Sequence, residues 1–502
     1  MRRVIDMSLT ITPNNGRNPF YGSLPVNCLH VEPTGDRRPR GSAFAYLKIE
    51  PYKFGDSYEH MVMNVLCTTD PYPGTHVETY YPEKWWYPKE DGRHLFRRDV
   101  AHIPVSMLCG EAVIFDFPYK EKPVIDAPDF ERSDIEVRAG DIVFVRTGYS
   151  SVYANMPPEQ RLYDGSPGLT NEAAQWLVDR HIKAYGVDAR GLEAGRSSVP
   201  GAKLDVHRIF HLHNVVLLED LANLDKLTKS RVYVMCGAPL RIEYLTGAAG
   251  RVVAIDDGKI IDLSHKVQCY PKTRIQLEDI RREPVNQKPR LLKRATVTPF
   301  TITDYGIDDS VGPEYMEFPS HLGTHVEIPY YNSEDTGPMK DIERDIYSTP
   351  LEQLIGTAAV IDLTTKGPVE LITARDLTNQ GTNVQRGDIV ILKTGYTDRY
   401  YELDEYFDLS PALSEDAAGW LVDRGVRMLV TDIASVDRQR PSYGELPERT
   451  IHSILFKHNI PIVESACNTW LLFRDRLFLA CLPLPFVGLD SSPAHVIAVE
   501  DW

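Results

Sequence analysis

The sequence predicts an α/β fold present twice in tandem, residues 1–257 and 258–502, with the two copies pairing as an internal pseudo-dimer. Two observations lead there. Blocks of sequence recur in the same order along the chain, and each copy alternates short apolar runs with amphipathic stretches.

The recurrence decides the architecture, because a missed duplication misassigns everything downstream. RVIDMSLTI (3–11) returns as KIIDLSHKV (259–267), GTHVETYY (74–81) as GTHVEIPY (323–330), and AGDIVFVRTGYS (139–150) as RGDIVILKTGYT (386–397). PGLTNEAAQWLVDR (167–180) matches PALSEDAAGWLVDR (411–424), VHRIFHLHNVVLLED (206–220) matches IHSILFKHNIPIVES (451–465), and AGRVVAID (249–256) matches AHVIAVED (494–501). The offset drifts only from about 256 to about 244 residues, so loops changed length while the order held. A period of that size is too long for a solenoid and indicates two whole domains.

Within each copy, AVIFD (112–116) and DIVFVRTG (141–148), like AVIDL (359–363) and DIVILKTG (388–395), are Val- and Ile-rich runs that suit buried strands. Between them Thr170 or Ser414 is placed to cap a helix, with Glu172 or Glu415 in its first turn and Ala173, Trp176 and Leu177 on one face. Residues 268–320 lack a clean counterpart and hold eight prolines or glycines, which reads as an extended arm or loop that shapes the second site or clasps the first domain, or else as an ordinary surface insertion.

Composition bounds the function. A 42% hydrophobic and 25% charged chain of 502 residues has apolar material for more than one core. A net charge of -16 disfavours nucleic acid and anionic membranes, which leaves a small-molecule substrate as the expected partner. Seven cysteines without a CxxC pair give no disulfide framework, and no apolar run approaches a membrane span or a signal peptide, so a cytoplasmic protein is expected.

Two segments carry chemistry. His321-Leu-Gly-Thr-His325-Val-Glu327 offers two imidazoles and a carboxylate within seven residues, a donor set that suits zinc or manganese. Later, His452 opens an amphipathic stretch that Asn459 can end, and IPIVE then reads as a strand closing on Glu464. About two helical turns rise roughly 10 Å, and four strand residues return about 13 Å. An antiparallel helix and strand therefore bring His452 and Glu464 to one end. A polar residue closing an apolar run needs a cation or donors as partner. The first half repeats the spacing with His207 and Glu219, and has His76 and Glu78, but Tyr72 stands where the second half has His321, so Tyr72, His76, Glu78, His207 and Glu219 form a candidate second metal site, less complete than that of the second half. Asp432 and Asp437, in TDIASVD, are candidates to orient a ligand histidine from behind. His211 and His213 read as surface residues.

The pattern HxGTHx(D/E)xP at 321–329, with the later His and Glu twelve apart, resembles the cyclase superfamily that includes bacterial kynurenine formamidase and isatin hydrolase. The resemblance covers both halves, from IDLS (261–264) through TDIASVD to SPAHVIAV (492–499). It implies the cyclase fold, a divalent metal, hydrolysis of an amide or lactam, and homodimers. The family usually has Asp where Glu78 and Glu327 stand, and a proton-shuttling His where Tyr331 and Pro82 stand. Proton transfer then falls to Glu464, Tyr330 or Tyr331.

The expected activity is a metal-dependent hydrolase acting on an amide, lactam or related C–N or C–O bond, with a role in secondary metabolism. A metal-dependent cyclase or dehydratase is the alternative enzyme, and a noncatalytic binding scaffold the alternative of another class. The second half is expected to hold the more complete site.

Overall fold

The computed structural model describes residues 3–7, 48–54, 58–67, 76–78, 102–154, 166–189, 191–194, 205–237, 247–262, 296–299, 314–319, 321, 323–329, 345–401, 403, 405–438, 450–485 and 490–502. The apolar runs become strands. Ile142–Arg146 pairs in parallel with Cys109–Asp116, and Ile389–Lys393 does the same with Ile355–Asp362. Both faces of these strands are covered, which is why they read as continuous apolar runs. Ile142 and Phe144 point into one core while Val143 and Val145 point into another; Ile389 and Ile391 part from Val390 and Leu392 in the same way.

One of those cores is common to the two halves. Phe144, Val234 and Val252 of the first half lie in the same apolar cluster as Ile391, Leu479 and Val496 of the second. The helices cover the opposite faces: Ala173, Leu177 and Phe210 in the first half, Ala417, Leu421 and Leu455 in the second. The sheets therefore pack on each other and the helices lie outside, the internal pairing expected from the duplication. At Gly237 a Cβ would come within 2.6 Å of Leu482 Cβ, so the approach of the halves there requires glycine.

The two sheets have the same strand order. In the first, Gly247–Ala249, His76–Glu78, Val216–Glu219, Ala184–Val187, Ile142–Arg146, Cys109–Asp116, Arg231–Gly237 and Arg251–Asp256 follow one another. In the second, the single strand Ser491–Glu500 pairs both with His325–Glu327 and with Arg476–Pro483, so the ring of pairings closes on itself. Gly247–Ala249 and Arg251–Asp256 share those duties in the first half.

Each half also borrows a strand. Lys259–Asp262, which opens the second repeat, turns back through Asp257 (φ 52°) and Gly258 (φ 78°) to pair with Arg251–Asp256 of the first. Two consecutive positive φ values at Asp-Gly make the tight hairpin that matches strand twist. Reciprocally, Arg3–Asp6 pairs with the end of Ser491–Glu500 in the second half. Residue 257, expected as the domain boundary, is thus the first residue of a hairpin turn.

The described part of the stretch 268–320 holds strands, one of which clasps the first half as an arm. Thr296–Pro299 and Glu314–Pro319 are strands, and the latter pairs antiparallel with Tyr58–Cys67 of the first half, Pro319 opposite Val62. Its prolines hid the strand signal. One cap also differs: Thr170 Oγ accepts from Ala173 N–H at 3.2 Å as expected, whereas Ser414 makes no cap and donates to the Ile372 carbonyl. No helix among the described residues is long and apolar enough to cross a membrane.

Met7 anchors the borrowed N-terminal strand. It is fully buried, its N–H donates to the Val496 carbonyl at 2.8 Å, and its own carbonyl accepts from Cys467 N–H at 3.0 Å. Met7→Ala is expected to lower stability by about 2–4 kcal/mol, read from urea denaturation of the full chain.

Candidate functional site

Short strands deliver the second half's candidate residues to one place. His325–Glu327 runs antiparallel to Ile462–Glu464 with His325 opposite Glu464, so the two side chains share a face of the sheet. The helix Thr450–Lys457 ends at Asn459 in the left-handed conformation (φ 57°), and the chain returns as Ile462–Glu464. His452, on the first turn, thereby faces Glu464, as its spacing implied.

The five residues converge. His321 Nδ1 lies 3.1 Å and His325 Nε2 3.3 Å from Glu327 Oε1. His452 Nε2 stands 3.5 Å from Glu327 Oε2 and 3.5 Å from Glu464 Oε1, and His325 Nε2 is 3.8 Å from Glu464 Oε2. His321, His325 and Glu327 form one group with ligand-atom spacing that suits a metal ion, and Glu327, His452 and Glu464 form another. Glu327 joins the two, one oxygen toward each. None of the five is more than 7% exposed, so water screens these charges weakly.

Contacts behind the imidazoles fix which nitrogen points inward. His325 Nδ1–H donates to the Gly323 carbonyl at 2.9 Å, and His452 Nδ1–H to the Asp437 carboxylate at 2.5 Å. Both partners only accept, so each neutral ring turns the lone pair of Nε2 toward the carboxylates. Acceptors that face one another in a buried space repel unless a cation or protons lie between them. Such a donor set fits a divalent metal.

The charge balance shows the same demand. Burial alone would lower the pKa of His325, but hydrogen bonding and charge from Glu327, with the charge of Glu464, raise it above the ordinary histidine value. Burial raises the Glu464 carboxyl; the charge of His452 opposes this, while that of Glu327 adds to it. Val436 N–H also donates to Glu464 Oε1 at 2.7 Å.

The carboxylates expected to stand behind a histidine divide. Asp437 does so, and it also accepts from the N–H groups of Ile451 (2.8 Å) and His452 (3.1 Å), closing the helix N-terminus. Asp432 does not. Its carboxylate takes the N–H of Thr394 and Gly395 and the hydroxyls of Thr394 and Thr469, bracing the turn after Ile389–Lys393. The two lie five positions apart in sequence, and strand Met428–Thr431 has ended before Asp432, so they point to different neighbours. Tyr330, Tyr331 and Tyr72 lie outside the described residues. Ser491, which the sequence did not single out, contacts His321 Nε2 through Oγ at 3.1 Å.

The first half repeats the frame with different contents. His76 stands opposite Glu219 as His325 does opposite Glu464. His207, however, is clamped directly, Nδ1 at 2.6 Å from Glu193 Oε1 and Nε2 at 2.8 Å from Glu219 Oε1. Burial opposes its charge, but the two carboxylates hold it well above the ordinary histidine range. Asp188, the counterpart of Asp432, likewise accepts from Thr147 and Gly148. His211 is half-buried rather than on the surface: burial and the charge of His207 push it down to about 3.

Comparison with known proteins places this geometry. The family model described as "Putative cyclase" matches residues 5–194 and 261–438, so the chain belongs to the cyclase family, once in each half, and is an enzyme of that family. The chain is 27% identical over 177 residues to the kynurenine formamidase of Bacillus mycoides (strain KBAB4), covering 35% of this chain and 75% of the relative. The kynurenine formamidase of Bacillus cereus (strain ATCC 10987 / NRS 248) matches over the same length at 27%. Among solved structures, isatin hydrolase A from Ralstonia solanacearum aligns at 19% identity with a TM-score of 0.36, over 41% of this chain and 82% of that one. A structure described as a predicted metal-dependent hydrolase, from Bacillus stearothermophilus, aligns at 25% identity and a TM-score of 0.33, over 43% and 91%.

Asp437 and Asp432 should separate experimentally. Asp437→Ala removes a helix cap and is expected to cost about 1–2 kcal/mol. Asp432→Ala strands several buried donors, each worth about 1–3 kcal/mol, and should cost more. Chemical denaturation of both variants checks the order.

Proposed function

We propose that His321, His325, Glu327, His452 and Glu464 hold a divalent metal, zinc or manganese, and that the second half hydrolyses an amide, lactam or related C–N or C–O bond of a small molecule. One observation carries this reading: imidazole lone pairs, fixed from behind, converge with two carboxylates in a buried space that contains no cationic side chain among the described residues. Membership of the cyclase family, with kynurenine formamidases among the relatives, supports the class of reaction.

A divalent ion bound there supplies Lewis acidity to a substrate carbonyl and acidifies water. The protein's own groups do the rest. Glu464, whose carboxyl burial holds above the usual range, is placed to take a proton and return it to the leaving group. Tyr330 and Tyr331, which follow the ligand strand, are the candidate acids where the family usually has histidine. Glu327, facing both ligand groups, keeps them at a fixed separation.

The first half is proposed as a supporting partner. His207 donates through both ring nitrogens to Glu193 and Glu219, which leaves neither nitrogen a lone pair for a metal. Metal should therefore reside in the second half.

Metal analysis of protein purified without chelators tests this. Bound zinc or manganese that His325→Ala loses and His76→Ala keeps is the expected result, with hydrolysis following the metal. Wild-type protein that purifies and folds without metal, and gains none on titration, would refute the metal reading. Affinity should also depend on pH with a defined sign. Because neighbouring carboxylates raise the His325 pKa, a metal has to displace a proton. Affinity should fall as pH drops, beginning above the ordinary histidine range because the His325 pKa is raised, and recover at higher pH, as chelator competition at several pH values would show.

A further inference from the structure

We propose that Ser491, backed by Asp490, is the positioning residue that selects Nδ1 of His321 as its metal-facing atom. The inference rests on the metal reading above and deepens it. Ser491 Oγ lies 3.0 Å from Asp490 Oδ1 and 3.1 Å from His321 Nε2. A carboxylate only accepts, so the single hydroxyl proton of Ser491 is committed to Asp490. Oγ is then left as an acceptor, and His321 Nε2 must be the donor. The proton of the neutral imidazole is thereby placed on Nε2, and the lone pair of Nδ1 is turned toward Glu327 Oε1 at 3.1 Å.

This makes His321 the inverse of its two companions. His325 and His452 are held through Nδ1 and offer Nε2, whereas His321 is held through Nε2 and offers Nδ1. The inversion follows from where the chain enters: His321 precedes the strand His325–Glu327 and reaches the cluster from the side of Ser491–Glu500. The backbone reinforces the contact, since Ile328 N–H, next to Glu327, donates to the Asp490 carbonyl at 2.8 Å. Ser491 is fully buried, so the contact is not shared with solvent.

The two halves supply an internal comparison. Ser491 stands opposite Glu327, and the residue standing opposite Glu78 in the first half is Gly247. The half that has Tyr72 in place of the leading histidine therefore also has a glycine, without a hydroxyl, in place of the serine. Histidine and serine are present together in one half and absent together from the other, as a working pair requires.

Zinc affinity of the full chain, measured by competition with a chromogenic chelator, tests the assignment. Ser491→Ala is expected to weaken binding about ten-fold or more, Ser491→Thr, which keeps the hydroxyl, to restore it, and the melting temperature of the chelator-treated proteins to stay that of wild type. Asp490→Ala should weaken binding in the same direction and decides the matter alone if Ser491→Ala does not fold. Wild-type affinity in Ser491→Ala, or in Asp490→Ala where that variant decides, overturns the proposal and leaves the metal reading standing, as does a Thr variant no better than Ala. A wild-type protein that takes up no zinc overturns both.

Discussion

Glu327 and Glu464 face His321, His325 and His452 across distances of 3.1 to 3.8 Å in a space that water scarcely reaches, with Val436 N–H donating to Glu464 Oε1 from the backbone. The Gly323 carbonyl and the Asp437 carboxylate take the outer protons of two rings, so the rings cannot turn to satisfy the carboxylates themselves. Electrostatic frustration of this kind is tolerated in a folded protein where a ligand resolves it. The surrounding structure serves that constraint: antiparallel pairing sets His325 opposite Glu464, and a helix closed by Asp437 holds His452 against both.

The same frame without the same contents shows what the constraint means. In the first half His207 lies between Glu193 and Glu219, and its ring is paired with both carboxylates from within the protein. The difference is small in covalent terms. Asp437 and Glu193 both reach the ligand-position histidine from behind, but in the first half Glu219 also approaches to 2.8 Å, against 3.5 Å for Glu464 in the second. A proton fits the shorter gap, and a metal ion, with bonds of about 2.0–2.2 Å to each ligand, fits the longer one. Duplication thus left one half to hold an ion pair and the other to hold a site.

Why both halves are retained is visible in their packing. Their sheets share one apolar core, Gly237 admits Leu482 where a side chain would not fit, and each half closes its sheet edge with a strand from the other. The strand that receives Arg3–Asp6 is the one that begins with Ser491, so the first half's N-terminal residues brace the second half's site at one remove.

The sequence by itself determined the duplication, the strand and helix types, and two of the spatial coincidences. His325 with Glu327, and His452 with Glu464, are set by short-range spacing, and local geometry is what spacing encodes. The buried runs were legible because both faces of those strands meet apolar cores, and the amphipathic helices because one face meets a core and the other is exposed. Only the tertiary structure decided the rest. Asp432 and Asp437 are alike in the sequence and are read alike, yet one braces a turn and the other a histidine, because both lie beyond the end of the strand Met428–Thr431, where no regular alternation sets the direction of a side chain. The contact of Ser491 with His321 joins residues 170 positions apart, and the pairing of Arg3–Asp6 with the last strand joins residues at opposite ends of the chain. Pairing over such distances is fixed by how the sheets close and pack, and no local pattern records it.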